Sequence, residues 1–236
     1  MVGLRTPIVA LFLSMSVATA QADWDDFDSG MKTGAYCKVH LNDLHPTKAV
    51  VGLIEVKVRI SKMKDMSPRK LKAYLKDHIV PIVIGPQGVP YIIDHHHLSY
   101  ALLSSRLGDD MFAEIKANWK GLTKAEFWRE MKKRDWVYLN GLKPDDLPEK
   151  LIQLTDDPYR SLAFLVRESG GFKKVSTPFA EFKWAEYFRA HLRIHDDDKD
   201  LKKVLVRAME IVHSDEAKSL PGYFFACNSL VRSADP

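Results

Sequence analysis

Three consecutive histidines, His95–His97, follow Asp94 and are the residues of this chain whose types and spacing best suit chemistry. A short apolar segment, Tyr91–Ile93, precedes them, as is typical of a buried strand. Apolar residues recur after them at helical spacing, namely Leu98, Ala101 and Leu102. We therefore predict a strand followed by a helix, with Asp94 as the N-cap and the helix beginning near His95.

A helix start of this kind favours anions. The first backbone N–H groups have no partner within the helix, and the helix dipole adds partial positive charge there. Imidazole also titrates near neutral pH, so it can move protons at the same place. We expect Asp94 and His97 to help form a phosphate site, with His95 or His96 as general acid or base.

A metal site is the competing interpretation of the histidines. Successive helical residues are rotated by about 100°, so three adjacent imidazoles cannot converge on one ion. A zinc pair on a helix needs a spacing of four residues, which is not present here. A divalent metal would therefore have to be held by residues that are distant in sequence. The structural alternative is that one imidazole packs beneath the strand and the others are solvated.

The segment 50–60 alternates between apolar and polar residues, which predicts a half-buried strand. Glu55, Lys57 and Arg59 would lie on its polar face. Lys57 or Arg59 could stabilise charge on a phosphate, and Glu55 could act catalytically by orienting a histidine or helping to hold a divalent ion. An ordinary solvent-facing surface explains the same three residues.

The other predicted elements follow from caps, turns and periodicity. In the first half they are a helix over 68–78 with Ser67 as N-cap, a hairpin of 80–84 and 89–93, an end of the histidine helix at a glycine near 106–108, and a strand over 111–119. In the second half they are a helix over 123–134 with a capping box, a connector over 141–148, and helices that begin at 156–158, 178 and 201. Arg160 or Glu181 could reach the histidine helix, where Arg160 would bind phosphate, or the two could form a buried ion pair. The triplet 196–198 predicts an acidic helix cap rather than a calcium loop.

The N-terminus predicts export. Residues 1–22 combine Arg5, an apolar run and small residues at a cleavage site, as in a secretory signal peptide. An uncleaved membrane anchor is the alternative. No later apolar segment approaches the ~20 residues of a membrane span, so we expect a periplasmic or secreted protein without stable membrane association after cleavage. A mobile lead-in over 23–39, an α/β core over 40–120 and a helical region over 121–236 would follow.

The chain of 236 residues has a net charge of +4 and two cysteines, Cys37 and Cys227. The modest charge permits binding of a polyanion without arguing strongly for it. Export makes a Cys37–Cys227 disulfide the preferred interpretation, and two buried thiols are the alternative. Such a bridge would close a loop of about 190 residues and stabilise the fold by roughly 4–5 kcal/mol.

Several motifs resemble the family of putative ParB-like nucleases, within the ParB/sulfiredoxin superfamily. They lie at 45–52, 80–85, 94–98, 156–163 and 178–185, and the likeness spans roughly His40 to Leu192. The resemblance implies an α+β fold, with a small mixed sheet and helices followed by a helical C-terminal region. It also implies that the start of one helix holds phosphate, and members of the family are often exported bacterial proteins.

Departures from the relatives narrow the chemistry that the resemblance implies. Sulfiredoxins use a cysteine and the nucleotide-hydrolysing ParB proteins use arginines where this chain has Asp94–His97. We therefore expect a nuclease or phosphodiesterase whose partner is a nucleic acid or a small molecule that contains phosphate. One alternative is a non-catalytic exported protein that binds an anion or nucleotide. A kinase-like phosphotransferase is another, disfavoured because export would separate it from a nucleotide donor.

Overall fold

The structure is a computed structural model that describes residues 24–195 and 201–224. The strands in this part of the chain are β1 (Tyr36–His40), β2 (His45–Pro46), β3 (Val50–Val51), β4 (Val80–Ile84), β5 (Pro90–Ile92), β6 (Asp110–Asn118) and β7 (Thr155–Asp156). The α-helices are α1 (Leu53–Lys64), α2 (Pro68–Lys76), α3 (His96–Ser104), α4 (Lys124–Lys133), α5 (Pro158–Glu168), α6 (Ala180–His191) and α7 (Lys202–Ile211). Short 3-10 helices span Leu41–Asp43, Pro86–Gly88, Pro144–Asp146, Leu151–Gln153 and Asp215–Ser219.

A mixed five-stranded sheet forms the centre, with the strand order β1-β6-β4-β5-β2. Strands β1 and β6 are antiparallel, β4 and β6 are parallel, and β4 and β5 form the predicted antiparallel hairpin. Residues on both faces of β4 are buried, in keeping with its continuous apolar sequence and central position. The predicted α+β class, with helices following a small mixed sheet, is therefore confirmed.

The predicted strand over 50–60 is wrong. Only Val50–Val51 is extended, and it pairs in parallel with β7 before α1 begins at Leu53. Glu55 is buried whereas Val58 is 51% exposed, so burial follows the helical repeat rather than the period of two. The β-branched residues suggested a strand, but tertiary packing of α1 outweighed that weak local preference.

The residues before β1 lie against the sheet rather than forming a mobile lead-in. Trp24, Phe27 and Met31 pack on the core, and the Gly34 N–H donates a hydrogen bond to the Ile115 carbonyl at 2.8 Å. Because the segment is acidic, its sequence did not indicate these apolar contacts. The first strand of the sheet, β1, also falls within the predicted lead-in.

The other predicted helices are present, and their caps explain several of their boundaries. Ser67 caps α2, and Thr123 with Glu126 forms the predicted capping box of α4. The end of α3 differs from the prediction, since the helix ends at Ser104 with Ser105 as its C-cap, and Arg106, not a glycine, takes the left-handed conformation with φ of 57°. The aromatic side chains of α6, with α5 and α7, build a second apolar cluster that Ile54 of α1 joins.

Some predictions fall on parts of the chain that the structure does not describe. The signal peptide, the acidic triplet 196–198 and Cys227 lie outside the described residues. Cys37 is a free, buried thiol on β1, and burial raises its pKa to about 11. The disulfide therefore stays a prediction. No helix within the described ranges is long and apolar enough to cross a membrane.

Candidate functional site

The N-cap of α3 is His95, not Asp94. The Asp94 carboxylate accepts a hydrogen bond from the adjacent His95 N–H at 2.7 Å, so it does not reach the second or third N–H group as an N-cap side chain would. His95 has a left-handed backbone with φ of 63°, and its carbonyl accepts the hydrogen bond from the Ser99 N–H. The helix therefore starts one residue later than predicted.

His96 lies inside the protein and does not line the cleft described below. It is 1% exposed, and its Nε2 atom accepts a hydrogen bond from the Thr47 N–H at 3.1 Å. Burial holds the pKa of His96 well below its ordinary value, so the ring is neutral. Its position fixes the connection between β2 and β3, which is a structural role rather than the predicted catalytic one.

His97 is held in a similar way by a second backbone contact. Its Nε2 atom accepts a hydrogen bond from the Gly52 N–H at 2.9 Å, and burial keeps its pKa well below the ordinary value. The ring edge borders the cleft, with 3.7 Å between Nε2 and Glu55 Oε2. Two imidazoles, rather than the one considered from the sequence, are thus used as neutral acceptors for backbone N–H groups.

His95 is the histidine of the triplet whose side chain is half-buried at the cleft. Its ring lies edge-on to that of His78, with 6.2 Å between the centroids. Burial lowers the pKa of His95, Asp94 opposes this shift, and Arg59 and His78 add to it. The ring is therefore mostly neutral at pH 7, which suits a general base.

The cleft has a volume of about 550 Å³ and lies between the α3 start, α1, α5 and the segment 172–182. Its lining is rich in charged side chains of both signs. The cations are Lys48, Arg59, Arg160, Arg167, Lys173 and Lys174, and the carboxylates are Glu55, Asp94, Asp135 and Glu181.

Glu55 is the centre of a buried ion-pair network. Its Oε2 atom lies 2.9 Å from Arg160 Nη2, and its Oε1 atom lies 2.7 Å from Arg59 Nη2. Burial alone would raise the pKa of Glu55, but His97, Arg160 and Arg59 lower it well below the ordinary value. Because His97 is neutral, the two guanidinium groups account for this shift, and they keep Glu55 ionised as an ion-pair partner rather than a free base.

Arg160 also forms an ion pair with Glu181, which the sequence analysis gave as one of two alternatives for these residues. Both residues line the cleft, so the ion pair and proximity to the histidine helix occur together. The Arg160 Nε and Nη1 atoms are buried and have no hydrogen-bond partner in the described part of the chain. Buried guanidinium N–H groups usually find acceptors, so these two donors lack the acceptor that such groups normally have.

Lys48 is the cleft residue that the search for catalytic residues missed. It is 6% exposed, and its Nζ atom lies 5.0 Å from the Phe182 ring centroid and 5.5 Å from that of Phe179. In the described residues 24–195 and 201–224, its contacts are with these two rings rather than with a carboxylate in an ion pair, and Asp94 is the carboxylate that most opposes the lowering of its pKa. Burial lowers the pKa of Lys48 to about 8. The only sequence signal was its place in the family motif at 45–52.

Lys57 does not join the site. The helical form of the segment turns it to the solvent, and it is not among the cleft residues, whereas Arg59 lies four residues after Glu55 on the inner face. The predicted phosphate-binding role of Lys57 depended on the strand that is not formed.

Three residues that line the cleft have left-handed backbones without being glycine. They are His95 with φ of 63°, Asp135 with φ of 53° and Phe179 with φ of 55°. Such conformations cost about 1–3 kcal/mol each and tend to occur where function constrains the chain. Their grouping at one cleft marks it as the candidate site.

The described ranges contain no preformed site for the divalent metal that was considered from the sequence. No group of three or more His, Cys, Asp or Glu side chains is placed to hold an ion there. The sequence left the metal requirement open, and this arrangement does not decide it.

The fold is that of an α+β protein with a ParB-like sheet and a cationic cleft at the start of one helix. Comparison with family models matches the description "Putative ParB-like nuclease" over residues 37–190. The chain belongs to this family.

A solved structure supports the same assignment. The chain is 35% identical to the protein Atu1540 from Agrobacterium tumefaciens, whose crystal structure matches with a TM-score of 0.70 over 80% of this chain and 97% of that chain. No curated protein matches.

Proposed function

We propose that this protein is a nuclease-like hydrolase that cleaves phosphodiesters in the cleft at the start of α3. The observation that carries the proposal is Lys48, a buried cation whose ammonium group faces the Phe179 and Phe182 rings and forms no ion pair in the described chain. A buried, unpaired charge is costly, and an anion in the cleft would compensate it.

Two other features support an anion at this place. The Arg160 Nε and Nη1 donors are buried without partners in the described part of the chain. The first backbone N–H group with a hydrogen bond inside α3 is that of Ser99, which donates to the His95 carbonyl. The N–H groups that precede it in the first turn therefore have no partner within the helix and could bind a ligand. Thr47, next to Lys48, contacts His96, so the lysine and the helix start are held close together.

Hydrolysis needs one base and stabilisation of charge at this cleft. Neutral His95 would take a proton from water while the water oxygen bonds to phosphorus and the ester P–O bond breaks. The released alkoxide would take a proton from solvent. Lys48 and Arg160 would stabilise the negative charge that develops on the phosphate oxygens, a contribution that grows in a water-poor cleft.

The test is hydrolysis of bis(p-nitrophenyl) phosphate, DNA and RNA by purified protein, with EDTA or with added Mg²⁺ or Mn²⁺. We expect His95→Gln to lower kcat by about 10²–10⁴-fold, as removal of a general base does. Lys57→Ala is the matched control, because Lys57 is exposed and lies outside the cleft. Equal activity of the His95 variant and the wild type would refute the mechanism.

A non-catalytic anion-binding protein is the second candidate, and one observation favours it. His96, His97 and Glu55 are committed to backbone contacts and ion pairs, so His95 alone of the predicted catalytic groups is available. Native mass spectrometry that retains phosphate, without turnover of any substrate, would select this candidate. An ATP-dependent product would instead select a kinase-like phosphotransferase.

We also propose that residues 1–22 direct export and that the mature protein is periplasmic or secreted. The support is the charged, apolar and small-residue order of this segment. The mass of the exported protein, with and without reductant, would test both cleavage and the Cys37–Cys227 disulfide. Retention of the segment in the mature protein would contradict the predicted cleavage. Two alkylatable thiols would contradict the predicted disulfide.

A further inference from the structure

The charges of the cleft differ between its buried and exposed lining residues. The unpaired donors are deep, since Lys48 is 6% and Arg160 3% exposed. The exposed lining residues include Asp94 and Asp135 as well as Lys173 and Lys174. A phosphate must therefore enter the cleft to meet Lys48, and it passes carboxylates at the opening.

This arrangement is unsuited to an internal phosphate of a long nucleic acid. Proteins that bind polynucleotides offer a positively charged groove that follows the backbone. Here the opening offers Asp94 and Asp135 beside Lys173 and Lys174, so its charges balance and form no positively charged groove along which the neighbouring phosphates of a strand could lie. The volume of about 550 Å³ falls instead within the roughly 300–1,000 Å³ that is usual for small-molecule sites.

One wall of the cleft suits a flat apolar group. The half-buried Trp136 lines the cleft and stacks on Trp119, with 5.5 Å between ring centroids and 23° between planes. Phe179 and Phe182 also line this cleft, next to Lys48. A ring bound here would contact aromatic faces while its phosphate reached the buried cations.

We propose that the substrate of this site is a small phosphate diester with a flat apolar group, and that internal phosphodiesters of polynucleotides are excluded. The proposal rests on the function proposed above and narrows its substrate class. Exclusion follows from the buried position of Lys48 and Arg160, and from the lack of a positively charged groove among the exposed lining residues. Selection of a flat group follows from Trp136 and the two phenylalanines.

The first experiment compares turnover of bis(p-nitrophenyl) phosphate, dimethyl phosphate, duplex DNA and single-stranded RNA by the wild-type protein. Because p-nitrophenolate leaves more readily than a nucleoside alkoxide, thymidylyl-thymidine, with the leaving group of DNA, is added as the matched small diester. We expect its kcat/KM to exceed that for cleavage at internal sites of either polynucleotide by at least about 10-fold, the ratio that 1.4 kcal/mol gives. Endonucleolytic cleavage at an equal or higher rate would overturn the proposal.

Two variants test the opening and the wall separately. Asp135→Asn removes a carboxylate at a left-handed position that asparagine also accepts, so the fold should be kept. It should strengthen binding of single-stranded RNA severalfold and binding of phenyl phosphate less, because a strand places more than one phosphate near the opening. Trp136→Leu should weaken phenyl phosphate at least about 3-fold relative to inorganic phosphate, because an aromatic contact is worth about 0.5–1.5 kcal/mol. If Trp136→Leu weakened phenyl phosphate and inorganic phosphate equally, the proposed role of the wall would be wrong. If Asp135→Asn gave no gain in RNA binding, the proposed role of the opening would be wrong.

Binding experiments separate this inference from the proposed function. Calorimetry with phenyl phosphate, inorganic phosphate and duplex DNA requires no turnover. If no substrate is hydrolysed but phenyl phosphate binds more tightly than inorganic phosphate, and duplex DNA does not compete with it, the hydrolase fails and the selectivity of the site stands. If the diesters are hydrolysed but duplex DNA competes fully with phenyl phosphate, the hydrolase stands and the substrate class is wrong.

Discussion

The Nε2 atom of His97 accepts a hydrogen bond from the backbone N–H of Gly52, with 2.9 Å between the two nitrogen atoms. This contact joins the start of α3 to the start of α1. A Cβ atom on Gly52 would lie only 2.9 Å from the Ser161 backbone nitrogen of α5. The first turns of three helices therefore meet at this glycine, and they fix the buried wall of the cleft.

Gly52→Ala should lower the free energy of unfolding by about 1–3 kcal/mol, the range for overpacking a tight site. The added methyl group would meet backbone atoms of α5, which cannot move aside as a flexible side chain would. Urea denaturation measures the change. Gly121→Ala is the control, because a Cβ atom there has nothing within 4 Å and should change stability little. Equal stability of the two variants would show that α1 and α5 can separate freely.

Stability should fall as the pH drops below about 6.5, because His96 and His97 are held neutral in the fold. Their folded pKa values lie well below the ordinary value, so the unfolded state binds more protons in this window. Stability is therefore complete above the unfolded pKa and decreases as the pH falls toward the folded pKa. Each histidine contributes up to about 1.4 kcal/mol per pH unit.

The matched variant for this pH effect is His97→Gln, whose amide oxygen can accept the Gly52 N–H without titrating. Its stability should depend less on pH than that of the wild type between about pH 5 and 6.5, above the range in which carboxylates of unfolded chains titrate. His191, whose pKa is raised, acts in the opposite direction but is exposed. Thermal unfolding across this range measures both proteins, and parallel pH curves would exclude His97 as the source.

Local signals in the sequence predicted most of the elements. Turn and cap residues act within a few positions, so the 80–93 hairpin, the Ser67 cap of α2 and the capping box of α4 could be foreseen. The segment 50–60 could not, because its alternation of β-branched residues competes with the packing of α1 against α3 and α5. That packing is decided by residues about a hundred positions away, such as Ser161.

The candidate site was predicted in location but not in detail. The sequence placed it at the start of α3 and included Arg160, which the fold brings to the cleft. It could not show that His96 and His97 would accept backbone N–H groups from Thr47 and Gly52, since those partners are distant in sequence. The sequence did not indicate Lys48 either, because the residues next to a lysine do not show that it will be buried.

Lys48→Met should weaken binding of inorganic phosphate by at least about 10-fold, equivalent to 1.4 kcal/mol. Methionine fills a similar volume but removes the unpaired ammonium group. Since an apolar residue replaces a buried cation, the free energy of unfolding should stay constant or rise. Calorimetry measures the affinity and urea denaturation the stability, with Lys57→Met as the exposed control. A large loss of stability with unchanged affinity would show that Lys48 is structural.

Arg160→Met should destabilise the protein by about 3–5 kcal/mol, because it leaves the buried Glu55 and the half-buried Glu181 with less compensating charge. Glu55→Gln in the same protein removes part of that uncompensated charge, so the double variant should be more stable than the sum of the single effects predicts. We expect a coupling of about 1–3 kcal/mol from the double-mutant cycle in urea. The exposed pair of Glu130 and Arg134 serves as the control and should show no measurable coupling. Additive effects of Glu55 and Arg160 would mean that the 2.9 Å contact contributes nothing to the fold, and that Arg160 is free to bind an anion at no cost to stability.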